Sequence, residues 1–193
     1  MKKNNIRILI DVDDTIEYLC KAWVEWLDNK YNTGVKYDDI TEWNINKFFP
    51  KLKKEQIYEP LHTDEFWKSV KPMKDAIKYV RKLMKDGFDV YLCTSTDYRN
   101  VKPKFEYIIM EHFPYISWDQ VIVAYNKHMI KADILVDDGV HNIVGGDFYG
   151  ILFTAPHNKS FDAENNGVVR ANNWSEVYNI IKMYEKMYEK ENK

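Results

Sequence analysis

Residues 8–16 read "ILIDVDDTI". An apolar run stops there in three aspartates within four positions, Asp11, Asp13 and Asp14. A short apolar run without alternation suits a strand covered on both faces, as in a parallel sheet. Carboxylates placed at its end repel one another, and each loses hydration on burial. Something must offset that cost: a cation, a hydrogen-bond network or a shared proton.

Four further runs read as buried strands: "FDVYLCT" (88–94), "QVIVAY" (120–125), "ADILV" (132–136) and "YGILFT" (149–154). Helical periodicity lies between them. Ala76, Ile77, Val80, Leu83 and Met84 form one stripe, with Pro72 before it and Gly87 after it. Residues 101–113 read as a second helix with Pro103 in its first turn. Residues 173–193 read as a third, striped by Val177, Ile180, Ile181 and Tyr184 and opened by Asn173 and Glu176 as a capping box. This alternation predicts an α/β fold with a doubly wound parallel sheet of Rossmann type. Residues 17–71 break the beat. They hold one amphipathic helix with Leu19, Trp23, Trp26 and Leu27 on a face, then an aromatic-rich stretch with no evident strand. The expected organisation is a core of residues 1–16 and 72–193, with a small helical cap, 17–71, inserted after the first strand.

A net charge of −2 supplies no basic field for polymeric nucleic acid. No apolar run reaches the length of a membrane span. Cys20 and Cys93 each lie inside an apolar run, with neither a disulfide framework nor zinc spacing. The opening "MKKNNIRILIDVDD" lacks the long apolar stretch of a secretory signal. The expectation is a cytoplasmic protein without membrane or nucleic-acid partners, and a homodimer is compatible with the chain.

Ligands of open α/β sheets bind at the carboxyl ends of the strands. Those ends carry Asp11, Asp13, Asp14 and Thr15, then Thr94, Ser95, Thr96 and Asp97, then Asn126, Lys127 and His128, then Asp137 and Asp138. Carboxylates, hydroxyls and a lysine suit Mg²⁺ and a phosphate: the cation takes hard oxygen ligands, and lysine and hydroxyls hold phosphate oxygens. Asp11 and Asp13 point to the same side of an extended chain, so one could attack phosphorus while the other moves protons. Each element also has an ordinary reading by itself. "VDDG" makes a good turn, Thr94 and Ser95 could cap a helix, and exposed lysines are common.

"DVDDT" after a strand, "LCTS", a lysine and "ILVDD", in that order, resemble the haloacid dehalogenase (HAD) superfamily of phosphatases. "DITEWNINKFFP", "HTDEFWKSVKPMKDAI", "YLCTSTD", "NKHMIKADILVDD" and the tail "GILFTAPHNKSF…VVRANNW" resemble more closely the 5′(3′)-deoxyribonucleotidase group. The resemblance implies Asp11 as nucleophile and Asp13 as acid and base. It implies Mg²⁺ held by Asp11, Asp137 and the main-chain carbonyl of Asp13, with Asp138 supporting the metal's waters. Thr94, Ser95 and Lys127 would bind phosphate. Lys131 competes for the lysine role but falls at the distant end of its strand. Asp14 stands where many superfamily members have glycine. Trp43 and Phe66 or Trp67 would face the substrate, a nucleoside monophosphate. Trp23 and Trp26 read as core. The rival readings are a phosphatase for a sugar phosphate or similar ester, a phosphoacceptor domain, and a non-catalytic nucleotide-binding relative.

Overall fold

The structure is a computed structural model describing residues 6–191. The stretch Arg7–Ile10 forms β1, and its neighbours are β2 (Asp89–Thr94), β3 (Val121–Val123), β4 (Ile134–Asp137), β5 (Tyr149–Phe153) and β6 (Val169–Ala171). They make one parallel sheet in the order β3-β2-β1-β4-β5-β6. The sheet leaves β1 in both directions, so the crevice of this fold opens between β1 and β4. Pairing of Ile10 with Val136 continues past the strand, where Asp11 N–H donates to the Val136 carbonyl at 2.8 Å. Asp11 and Asp137 are thereby brought side by side.

Strand alternation divides the core. Ile8, Ile10, Val90, Leu92, Ile134 and Val136 pack on one face, and Leu9, Cys93, Leu135 and Leu152 on the other. Both faces are covered, which is why the runs show no polar alternation.

Three helices lie within residues 17–71, the stretch read as an insertion: α1 (Leu19–Tyr31), α2 (Lys54–Tyr58) and α3 (Asp64–Ser69), with two 3₁₀ turns between α1 and α2 and one between α2 and α3. The chain leaves and re-enters through paired backbone. Tyr18 N–H donates to the Lys71 carbonyl at 2.9 Å, and Met73 N–H to Ile16 at 2.8 Å. Beyond it come α4 (Ala76–Lys85), α5 (Tyr98–Lys104), α6 (Met110–His112), α7 (Val140–Ile143) and α8 (Trp174–Glu191). Val80, Leu83, Val177 and Ile181, on α4 and α8, join the first core face.

The structure departs from the sequence reading at three places. A sixth strand, β6, was not expected; it is three residues long and interrupted by Arg170. β3 is shorter than 120–125, lies at the sheet edge, and exposes Val123. The helix expected at 101–113 starts at Tyr98, where the Asp97 side chain caps it by accepting from Arg99 N–H. Pro103 therefore sits in the second turn. A π turn follows at Phe105–Ile109, where Met110 N–H reaches back five residues to the Phe105 carbonyl. Asn173 caps α8 as expected, accepting from Glu176 N–H, while Glu176 reaches back to the backbone of Asn172.

Candidate active site

The expected acids converge. Asp11, Asp137 and Asp138 are all buried, and each offers a carboxylate oxygen within 4.8 Å of the others. Lys127, 1% exposed, lies among them. Its Nζ bonds Asp11 and stands 2.5 Å from Asp137 Oδ2. Lys131 is exposed at the opposite end of β4. Asp137 also accepts from Gly139 N–H at 2.7 Å and from the Asn142 amide at 3.1 and 3.2 Å. Asp138 meets His157 Nε2 at 3.1 Å, and its carbonyl accepts from Asn158 Nδ2 at 2.8 Å. Arg170 of β6 in turn bonds Asn158 Oδ1 at 2.9 Å, so the unforeseen strand braces this loop.

Asp13 is held by a residue that sequence reading passed over. Lys104, fully buried, places Nζ 2.7 Å from both Asp13 carboxylate oxygens and 2.9 Å from Thr94 Oγ1. The only sequence signal was a lysine on a helix two turns past "TSTD", which looks like any surface lysine. Its stem is buried because the insertion covers it, with the Trp67 ring 5.6 Å from Nζ. Glu17 was likewise missed. It is fully buried beside Asp13, and neither carboxylate oxygen has a hydrogen-bond partner among the described residues.

Asp14 takes a backbone conformation that favours glycine. Its φ is 51°, in the left-handed region that glycine enters freely and aspartate tolerates. Its carboxylate accepts from Cys20 N–H at 3.1 and 3.2 Å, capping α1, whose own N-cap, Tyr18, supplies no side-chain bond.

Burial lifts these acids out of the usual carboxylate range. Desolvation pushes Asp11 up to about 7; Lys127 opposes the rise, while Asp137 and Asp13 add to it. Asp14, Glu17, Asp137 and Asp138 rise for the same first reason. Burial alone would lower Lys127, but Asp11 and Asp137 outweigh it and hold the ammonium charged. The cluster has more negative charge than its lysines and histidine balance.

A cavity of about 800 Å³ opens over these groups. Asp11, Asp13, Ser95, Lys127, Asp137 and Asp138 line it, and Trp23, Trp43, Tyr58 and Trp67 add aromatic walls. Thr94 is fully buried behind, on Lys104. Phe66 does not reach the cavity: it is buried in the core against Trp26 and Trp67. Trp23 is buried in the core, as the sequence reading has it, and also contributes to the wall. Trp43 lies edge-on between His141 and His157, with ring centroids at 4.6 and 5.0 Å.

The sequence profile of the 5′ nucleotidase, deoxy (pyrimidine), cytosolic type C family matches residues 4–188. The chain is 32% identical over 172 residues to a 5′(3′)-deoxyribonucleotidase of Bacillus subtilis, covering 88% of this chain and 95% of that protein. It is 31% identical to a 5′(3′)-deoxyribonucleotidase of Clostridium acetobutylicum, over 87% and 90% of the two chains. Among solved structures, a haloacid dehalogenase-like protein of Agrobacterium tumefaciens superposes with a TM-score of 0.62 at 12% identity, over 94% of this chain and 99% of that one. A HAD family hydrolase of Deinococcus radiodurans, solved with bound phosphate and sodium, gives a TM-score of 0.56 at 12% identity, over 90% and 93%. With a HAD-like sheet, a converged acid and lysine centre, and a family profile matched along almost its whole length, the chain belongs to the 5′ nucleotidase, deoxy (pyrimidine), cytosolic type C family of phosphoric monoester hydrolases.

Proposed function

We propose that the protein is a cytoplasmic, Mg²⁺-dependent phosphomonoesterase that hydrolyses nucleoside monophosphates, deoxyribonucleotides foremost, through an aspartyl-phosphate on Asp11. The observation that carries this reading is the buried Asp11 carboxylate, bonded to Lys127 and opening on the cavity that Asp13 also lines. The names of the relatives and the aromatic walls support the choice of a nucleotide over a smaller ester.

In the first step an Asp11 oxygen attacks phosphorus and the ester P–O bond breaks. Asp13 gives its proton to the departing alkoxide, which leaves as the alcohol. In the second, Asp13 takes a proton from water as the water oxygen attacks phosphorus. The Asp11–phosphorus link then breaks, phosphate leaves, and both carboxyls are returned to their starting state. Lys127 and Ser95 hold the phosphate oxygens, while Thr94, buried behind the cavity, positions Lys104. Lys104 fixes the direction of Asp13. Residues 17–71 act as the cap that excludes water, with Trp43 and Trp67 toward the nucleoside.

The donor set fits Mg²⁺. Three buried carboxylates converge within 4.8 Å of one another, all of them hard oxygen ligands. Asp11, Asp137 and the Asp13 carbonyl would hold the ion, with Asp138 beside it. Bound there, it supplies charge neutralisation for the acids and the phosphate.

The test is phosphate release from deoxyribonucleotides, ribonucleotides, sugar phosphates and an aryl phosphate, in Mg²⁺ and in EDTA. Release that needs Mg²⁺ and is fastest on deoxyribonucleotides is expected. Release confined to sugar or aryl esters would overturn the substrate assignment, and equal release in EDTA would overturn the metal.

A further inference from the structure

Asn100 lies on α5 and lines the cavity while only 5% exposed. Its amide oxygen has no hydrogen-bond donor among the described residues. Several polar groups nearby are already engaged. Asp97 is taken by Arg99, Thr94 and Asp13 by Lys104, and Asp137 by Lys127, Gly139 and Asn142. A buried amide oxygen without a donor is unfavourable unless a ligand brings one.

Position narrows the ligand group. Lys104 follows Asn100 by four residues, so both stand on one face of the helix, about 6 Å apart along its axis. Lys104 marks the phosphate end, because it bonds Thr94 and Asp13. The sugar is the first unit of a nucleotide beyond its phosphate, and the base lies one ring further. The sugar also carries a free hydroxyl whichever position is phosphorylated: the 3′-hydroxyl of a 5′-nucleotide, or the 5′-hydroxyl of a 3′-nucleotide. Resting on the nucleotidase reading above, we infer that the Asn100 side-chain oxygen accepts a hydrogen bond from the free sugar hydroxyl of the substrate. Asn100 is then a specificity-determining residue, favouring a nucleoside with that hydroxyl over one without it.

The experiment is a cycle of enzyme against substrate. Wild type, Asn100→Ala and Asn100→Ser, which keeps an oxygen, are each assayed with thymidine 5′-monophosphate and its 3′-deoxy analogue, and all are checked by thermal melting. Wild type should favour the hydroxyl-bearing substrate by about 10-fold to 100-fold in kcat/KM. In Asn100→Ala that ratio should collapse toward unity, mainly through loss on thymidine monophosphate, with Asn100→Ser between. An unchanged ratio in Asn100→Ala overturns the inference. So does an Asn100→Ala enzyme that keeps the hydroxyl ratio and instead shifts preference between thymine and cytosine nucleotides, since the amide would then read the base. A wild type that hydrolyses no nucleotide overturns the nucleotidase reading itself, a result visible before any variant is made.

Discussion

Replacing Lys104 with methionine removes a cation and keeps most of the volume of its stem. Two groups lose their partner, the Asp13 carboxylate at 2.7 Å and the Thr94 hydroxyl at 2.9 Å, and the Glu17 carboxyl loses a nearby positive charge. Removing one member of a fully buried ion pair costs about 3–5 kcal/mol. The Asp13 side chain is 26% exposed, so water recovers part of that loss. The hydroxyl bond adds about 1 kcal/mol. The expected destabilisation is therefore about 3 kcal/mol in urea unfolding, or about 6–12 °C in Tm for a chain of this size. Activity should fall about 100-fold in kcat/KM, because Asp13 is no longer aimed. Combining Lys104→Met with Asp13→Asn should cost less than the sum of the two, by at least about 1.5 kcal/mol of stability. Stability of Lys104→Met within about 0.5 kcal/mol of wild type, or strict additivity in the double variant, would refute the clamp.

Asp11→Asn should remove turnover by at least about 10³-fold while the metal-free fold melts no lower than wild type, since one repelling acid is gone; near-normal turnover would exclude Asp11 as nucleophile. Folded-state values of the buried acids lie above the unfolded Asp value of about 3.9, with Asp11 at about 7. Between those values the folded chain binds more protons than the unfolded chain, so their stabilisation fades as pH rises through that window. His157, raised by Asp138, acts in the same direction, while His141, lowered by burial, opposes it. In EDTA, Tm should drop from about pH 5 to about pH 8, and Mg²⁺ should flatten the drop; a rising Tm in EDTA would contradict the charge imbalance. Asp14→Gly should melt above Asp14→Ala, because both lose the Cys20 cap but only alanine is strained at φ 51°, by about 1–2 kcal/mol. The reverse order would show that the backbone relaxes.

Much of the centre was legible because its signals are local in sequence. Three acids after an apolar strand cannot be placed cheaply without a compensating charge, and the carboxyl-end rule gathers Asp11, Lys127 and Asp137 once the strands are found. Lys104, Asn100 and Glu17 were not legible, because what distinguishes them is burial by another segment. A lysine on α5 becomes a clamp only when Trp67 of the insertion closes over its stem. β6 was hidden by brevity: a strand of three residues with an arginine in the middle has no periodicity to read. Phe66 and Trp67 are sequence neighbours on α3, and only the rotation of that helix sends one to the core and the other to the cavity. Pro103 misled in a specific way. Proline suits a first turn, but Pro103 sits in the second turn of α5, two residues before the π turn.

The paired backbone at the root of the insertion bears on how the sheet assembles. β1 and β2 are neighbours, yet Arg7 and Asp89 stand 82 positions apart in the chain. If residues 18–71 condense first, the Tyr18–Lys71 bond ties off most of that interval. The remaining loop then closes at about 1 kcal/mol less entropic cost. On this view the insertion serves as a splint during folding. Trp67→Ala, which empties its interior, should slow refolding as well as weaken the native state. An unchanged refolding rate would mean that the sheet zips up without waiting for it.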